Sequence, residues 1–442
     1  MLKWLRTPYL RESIGMLTII LGTPVIFFFR ETVRLAPGKS WFTAACLVAA
    51  LFLMIPTSFL KIMYKPNVQL FKWASYFLAV SFFYLLFYNP FAKTEFYVPV
   101  REYSNFIFIF IYIFLLMNIP NKVKDNIIPL IVLITFAGSV ALIISLLLNP
   151  NYILGQRAAI YFGDGEEGGN PHVFAKNAYA GVISSFLLLK QRSLLTKTFS
   201  IFSIFLSVTV VIMTQTRGVL LALFIAIFLF LVFNLTKRQI KETVKSIFSL
   251  RNLFFLTVVL YGGYYYLAHY SPFFDLLASY SDRFSSTFLS MIFTASGKTQ
   301  ESPVMFDPSS QQRVFSFHLF KNYVEGQPEK MIFGLGYRYA YLDVPVLEAF
   351  LDCGILGGVS FLGFILLLTW HSYKAMKTKP NDFVVFLAYF FITYFVGVFS
   401  AGRPFDTSFW FIFALMIRFM GIKYLDDTPK PIAKSPISNV TT

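Results

Sequence analysis

Apolar residues run along this chain in long blocks, separated by short polar breaks and by Gly- or Pro-marked turns. Crossing about 30 Å of hydrocarbon takes roughly 17 to 25 residues of helix. Blocks near that length fall at 13–29, 41–60, 73–89, 104–119, 126–148, 174–189, 198–215, 218–235, 252–268, 346–369, 382–400 and 406–421. In lipid only helices or closed barrels satisfy the backbone, and these blocks lack the one-in-two alternation of a barrel strand. The pattern predicts an all-α polytopic membrane bundle of about 12 transmembrane helices over residues 1–422. The polar tail at 423–442 is too poor in apolar residues to fold and is expected to be disordered.

Two polar interruptions stand out: 149–173, rich in Gly and acid, and the much longer 269–345. A long irregular loop in a compact protein is usually functional. Within the second, Ser309 and Gln312 have the spacing of a capping box. Val314, Phe317, Phe320 and Val324 then recur at helical spacing, which predicts an amphipathic helix lying on the membrane surface. Another helix is expected from Phe273 to Phe293.

Composition agrees: 57% of residues are hydrophobic and only 14% charged, against about 25% charged in soluble domains. The net charge of +16 raises the question of an anionic partner such as nucleic acid. Sorting the loops answers it. With the N-terminus cytoplasmic, 23 of the 38 Lys and Arg but only 6 of the 22 acids lie on that side, +17 against −1 on the other. Such a bias sets orientation, so a nucleic-acid partner is set aside. Both termini are expected in the cytoplasm and both long loops outside. The basic N-terminus before an apolar run resembles a signal peptide without a small-residue cleavage site, so an uncleaved first span is expected. Cys46 and Cys353 form no disulfide framework and no metal cluster.

Candidate chemistry gathers at the outer ends of the spans. Arg217, in Thr214-Gln215-Thr216-Arg217-Gly218, sits where two spans meet with almost no loop. An ionisable group at that depth marks a functional site, the plain alternative being a snorkelling arginine that ends a helix. Arg313 falls in the first turn of the expected loop helix, where the helix dipole disfavours a cation unless an anion is near. Arg157, Lys176, Arg338, Asp343, Glu348, Asp352, Arg403 and Asp406 lie at similar depth. Several guanidiniums suit bidentate capture of a diphosphate. The acids would either pair with the arginines or serve as a general base. An Asp164-Gly165-Glu166 metal site is less economical than a solvated acidic loop.

Three passages resemble the bacterial O-antigen ligase/polymerase superfamily of Wzy-type polymerases and WaaL-type ligases. TQTRG at 214–218 is similar to its S/T-R-G at the start of a span. Arg313 followed by Gly334-Leu335-Gly336 is similar to its arginine, amphipathic helix and GxG. Asp343-Val344, nine residues and Gly354-Ile355-Leu356-Gly357 fit its H-[N/S/Q]-x9-GxxG frame, with Asp343 where the family carries His. Arg157, ten residues and Gly168 resemble a polymerase-loop arginine and glycine.

The resemblance implies a GT-C-like, inverting, metal- and cofactor-independent glycosyltransferase of the bacterial inner membrane, acting at the periplasmic face. Its substrate would be an undecaprenyl diphosphate-linked glycan, with membrane lipids and a chain-length regulator as partners. Arg217 and Arg313, with Arg157 and Arg338, would hold the diphosphate, and Asp343 or Glu348 would accept the hydroxyl proton. The missing His favours a surface-polysaccharide polymerase. A ligase transferring the glycan to lipid A-core is the alternative, and a polysaccharide-lipid flippase a more distant one.

Overall fold

The computed structural model describes residues 9–153, 155–162, 167–191, 193–234 and 308–421, with isolated helical positions between 257 and 265. The tail at 423–442, most of the span expected at 252–268, the helix expected at Phe273–Phe293 and the Asp164–Glu166 segment lie outside the described residues.

Every block of apolar sequence in the described part is helical. Helix α1 (Leu10–Leu21) meets α2 (Thr23–Phe27), which continues into a π-helical turn at Phe28–Thr32. Then come α3 (Ser40–Leu53), α4 (Val68–Phe87), α5 (Pro99–Asn118) and α6 (Ile127–Leu148). A two-rung ladder of β1 (Tyr161–Phe162) and β2 (Glu167–Gly168) precedes α7 (Pro171–Leu188), α8 (Leu194–Thr214) and α9 (Arg217–Asn234). The loop helices α10 (Pro308–Gly326) and α11 (Lys330–Phe333) lead to α12 (Pro345–Thr378), α13 (Asp382–Val398) and α14 (Thr407–Phe419).

Among the described residues five helices are long and apolar enough to cross a membrane, and six when the α1–α2 pair is taken as one broken span. Helices α3, α9, α13 and α14 are apolar but shorter. The molecule is an all-α bundle of a multi-pass membrane protein. The block at 13–29, expected as one straight span, is instead bent by 75° between Leu21 and Thr23. Pro24 lacks an N–H and its ring crowds the carbonyl four residues earlier, which breaks the helix there.

Large apolar side chains such as Trp41, Phe52, Phe87, Leu147, Phe205, Phe228 and Trp370 point outwards. That is the surface a lipid solvent allows. Inside, Phe77, Trp410 and Phe364 stack nearly parallel, at 6.1 Å for the first pair and 5.8 Å for the second, tying α4, α14 and α12 together. Helices α7 and α8 approach through small residues: a β-carbon on Gly181 would lie 2.5 Å from the Ser207 hydroxyl, and the Ser185 and Ser203 hydroxyls hydrogen-bond at 3.1 Å. Close backbone contact of this kind supplies the packing attraction that holds helices together in lipid.

Hydrogen bonds divide the connections into two ends. At one, Arg418 of α14 donates to the carbonyls of Leu116 and Ile119, which close α5, while Lys190 meets Asp382 at 2.7 Å. At the other, the segments around residues 30–38, 88–98, 155–162, 214–217, 335–344 and 400–406 assemble. This second, loop-bearing end holds the charged side chains described below.

Helix α12 is not continuous. Gly354 has φ 62° and ψ −160°, so a short first half (345–353) ends there and a long second half follows. Helix α10 starts at Pro308, two residues before the first helical position that a capping box at Ser309 predicts. On protein it packs through a different face from the apolar stripe: Leu319 and Tyr323 meet the cluster of Leu335, Leu342 and Leu351, and Ser316 is buried. Of the stripe, Phe317 and Val324 are exposed and Phe320 is half-buried.

Candidate functional site

The loop after α6 is stitched to the elbow between α8 and α9. Ala158 donates its N–H to the Met213 carbonyl at 3.0 Å. The Gln215 side chain donates to the Gly155 carbonyl at 2.9 Å, and Arg157 Nε donates to the Thr214 carbonyl at 3.2 Å. Gln215 takes a left-handed φ of 50°, which turns the chain sharply so that α9 opens at Arg217. Arg157 and the half-buried Arg217, 60 residues apart in sequence, therefore belong to one elbow. Arg157 Nη2 lies 3.4 Å from His172 Nε2. A guanidinium can only donate, so that ring nitrogen accepts.

Helix α7 begins beside this elbow, capped by Asn170, whose side chain accepts the His172 N–H at 2.9 Å. One turn below His172, Lys176 places its ammonium over the ring of Tyr394 at 4.8 Å and near that of Phe409 at 5.6 Å, under the attraction of Asp406. Asp406 Oδ2 accepts the backbone N–H of Arg403 at 2.9 Å. The Arg403 guanidinium reaches Glu348 at 3.3 Å and lies over the Tyr341 ring at 4.9 Å. The 403–406 turn thus links Lys176 of α7 to the acids of α12.

Those acids are set by the break in α12. With the helix interrupted at Gly354, the carbonyls of Leu351 and Asp352 accept instead from Leu335 and Gly336, at 2.8 and 3.0 Å. The GLG segment runs directly against the break, and Tyr337 continues it by donating to the Tyr88 carbonyl at 2.9 Å. The Asp352 carboxylate receives the N–H groups of Arg338 and Tyr339 at 3.0 and 3.1 Å. Arg338 and Tyr337 both turn to Glu102 of α5, at 2.7 and 2.9 Å. Glu102, Arg338, Asp352 and Glu348 are all buried. Charges in that setting persist only when paired and hydrogen-bonded.

Asp343 differs from these acids in being only half-buried. Its carboxylate accepts the Tyr341 hydroxyl at 2.9 Å, and its N–H donates to Ser316 Oγ of α10 at 3.2 Å. Burial and the neighbouring Asp343 push the Tyr341 phenol well above its ordinary pKa, so it stays a donor to that carboxylate. Nearby, the Tyr323 and Tyr339 hydroxyls share a hydrogen bond of 2.7 Å, and desolvation together with that bond pushes Tyr323 up to about 12.

The sequence candidates fall as follows. Arg157 is bonded to the α8–α9 elbow at Thr214, and Arg217 opens α9 there. Arg338 is 6% exposed and engaged with Glu102. Glu348 is fully buried against Arg403 and the Leu342 N–H, while Asp343 reaches the surface. Arg313 lies on α10 three residues before Ser316, the residue that touches Asp343. Glu102 was missed, its only signal being an acid in the polar lead-in to an apolar block. Asp352, Arg403, Lys176 and Asp406 were visible as charges at the right depth, yet nothing in their spacing showed that they link. Compared with known proteins, the chain matches no family model and no curated protein at a significant level.

Proposed function

We propose that this chain is an inverting, metal-independent membrane glycosyltransferase that uses polyprenyl diphosphate-linked oligosaccharide at the periplasmic face of a bacterial inner membrane. Its most economical assignment is a surface-polysaccharide polymerase. The observation that carries this reading is the convergence of the motifs. The TQTRG elbow with Arg157, the GLG segment, the Gly354 break and the Asp343-bearing turn all belong to one end of the bundle, where Arg403 of the Asp406 turn also reaches Glu348 of the broken helix. An enzyme drawing its energy from a lipid diphosphate needs cations for the leaving group and a base for the incoming hydroxyl in one place. That end supplies both.

In the mechanism, a sugar hydroxyl attacks the anomeric carbon as the bond to the polyprenyl diphosphate breaks. Arg157 and Arg217 neutralise the charge that grows on the leaving diphosphate, and Arg313 joins them from α10. One such contact is worth about 3 kcal/mol, or roughly a hundredfold in rate. Asp343, reachable from the surface and aimed by Tyr341, takes the hydroxyl proton. Glu348 and Arg338 do not touch substrate in this scheme. Glu348 fixes Arg403, and Arg338 locks the Tyr337–Tyr339 turn through Glu102.

Purified protein incubated with lipid-linked repeat units should extend them into longer chains with release of polyprenyl diphosphate. Transfer only to added lipid A-core would make it a ligase instead. Movement of the carrier across vesicles with every glycosidic bond unchanged would overturn the enzyme reading.

A further inference from the structure

At the end of the bundle away from the loops, α7, α9, α12 and α13 enclose a hollow of about 250 Å³. Buried Leu187, Met376 and Val385 line it. Phe186, Phe230 and Tyr389 line it as neighbouring rings, 6.0 Å apart for the first pair and 6.3 Å for the second. Phe186 is 43% exposed and Phe230 38%, so the hollow reaches the outer surface of the bundle instead of being sealed within it. Close-packed interiors keep few voids larger than a water molecule. Mostly apolar walls give a polar ligand little in exchange for its hydration. The hollow suits a segment of hydrocarbon chain.

Its charged lining residues are two lysines. Lys190, just past α7, meets Asp382 at 2.7 Å, and Lys379, which closes α12, donates to the Phe233 carbonyl at 3.2 Å. Both lysines are exposed. Cations are ordinary beside the carbonyl ends of helices, and that alone would account for them. It would not account for the apolar hollow they share. The Lys190–Asp382 pair is itself exposed on both sides, 56% and 50%, and so is weak enough for the ammonium to turn to another anion. Two cations beside one acid leave the rim positive, while the interior is apolar.

We propose that this hollow binds an anionic phospholipid of the adjoining leaflet, one acyl chain lying against Phe230, Met376 and Val385 and the phosphate resting on Lys190 and Lys379. Lysine takes a phosphate as a point charge, and basic pockets between membrane helices hold anionic headgroups in this way. A free phosphate lacks the chain that fills the hollow. A zwitterionic lipid has the chain but carries its own ammonium, so it gains less from the rim. The site lies at the opposite end from Arg157 and Asp343 and stands independently of the chemistry proposed there.

The test uses the full-length protein in phosphatidylcholine nanodiscs doped with a photoactivatable phosphatidylglycerol that carries a diazirine in its acyl chain. Crosslinks are mapped by peptide mass spectrometry beside those from a phosphatidylcholine probe with the same chain. Each lysine at an anionic headgroup is worth about fivefold. The phosphatidylglycerol probe should therefore label the peptides holding Phe186 and Phe230 about fivefold more than its partner, or better. Replacing both lysines, Lys190→Gln with Lys379→Gln, should bring that ratio close to one. Asp382→Asn removes the competing acid and should raise it. The comparison of the two probes on the wild-type protein does not depend on any variant folding. Equal labelling of these peptides by the two probes, or none at all, overturns the proposal. So does a preference for phosphatidylglycerol that survives the loss of both lysines.

Discussion

Gly334 and Gly354 lie so close that a β-carbon on either would strike the other's backbone nitrogen, at 2.4 and 2.6 Å. Both also have positive φ, 77° and 62°. This contact lets the GLG segment enter the break in α12 and take over the carbonyls that the break leaves without helical partners. Two glycine motifs separated in sequence are therefore one structural device, and the acids of α12 and the turn at Tyr337–Tyr339 are positioned by it.

Alanine at either position should be severely destabilising. Positive φ with ψ near 180° is essentially open to glycine alone and costs a residue with a β-carbon about 1–3 kcal/mol, and a clash with backbone cannot be relieved by a rotamer change. A total above about 3 kcal/mol is expected for Gly334→Ala or Gly354→Ala, placing both among the exceptional single substitutions. Thermal unfolding in detergent, followed by light scattering and size exclusion, measures it. A parent-like melting profile for Gly354→Ala would mean that the two segments do not interlock.

The buried pair of Glu102 and Arg338 should behave as a unit. Removing one partner from a buried ion pair leaves an uncompensated charge and costs about 3–5 kcal/mol, whereas replacing both by apolar residues is often close to neutral. Glu102→Leu and Arg338→Met should each lower the melting temperature sharply, and the double variant should recover a large part of the loss. If the double variant is as unstable as the sum of the singles, the two side chains do not depend on each other.

Long apolar blocks made the helices legible, because in lipid the backbone has no alternative. The bend at Leu21–Thr23 was not, since Pro24 sits inside one such block and the hydropathy runs straight through it. Helix α10 was legible as an element, but the face it packs on protein was not. A stripe of Phe and Val suits protein and lipid equally, and the packed face turned out to be centred on Ser316, Leu319 and Tyr323. Around the site, the glycines and arginines stood out by local spacing. The Arg338–Glu102 pair joins residues 236 positions apart, and no local pattern announces a partner at that distance.

Arg217→Ala and Arg313→Ala test the leaving-group side of the mechanism. Each should reduce in vitro polymerisation about a hundredfold while leaving the protein folded, because a lost electrostatic contact to a growing charge is worth about 3 kcal/mol. Full activity in both variants would remove the diphosphate clamp from the mechanism.

Asp343 and Glu348 should separate cleanly by their readouts. Asp343 reaches the surface, and Tyr341 aims its carboxylate. Asp343→Asn keeps that hydrogen bond but cannot take a proton, so kcat should fall about 10²–10⁴-fold with KM nearly unchanged. Glu348 is fully buried and holds Arg403, so Glu348→Gln should act through structure, with a lowered melting temperature and a raised KM as the 403–406 turn loosens. Tyr341→Phe should fall between them, with kcat reduced and stability kept. Single-turnover polymerisation of lipid-linked repeat units, set beside melting curves, distinguishes these patterns. If Glu348→Gln loses kcat at full stability while Asp343→Asn keeps it, the proton goes to the buried acid, and the half-buried Asp343 is the wrong assignment.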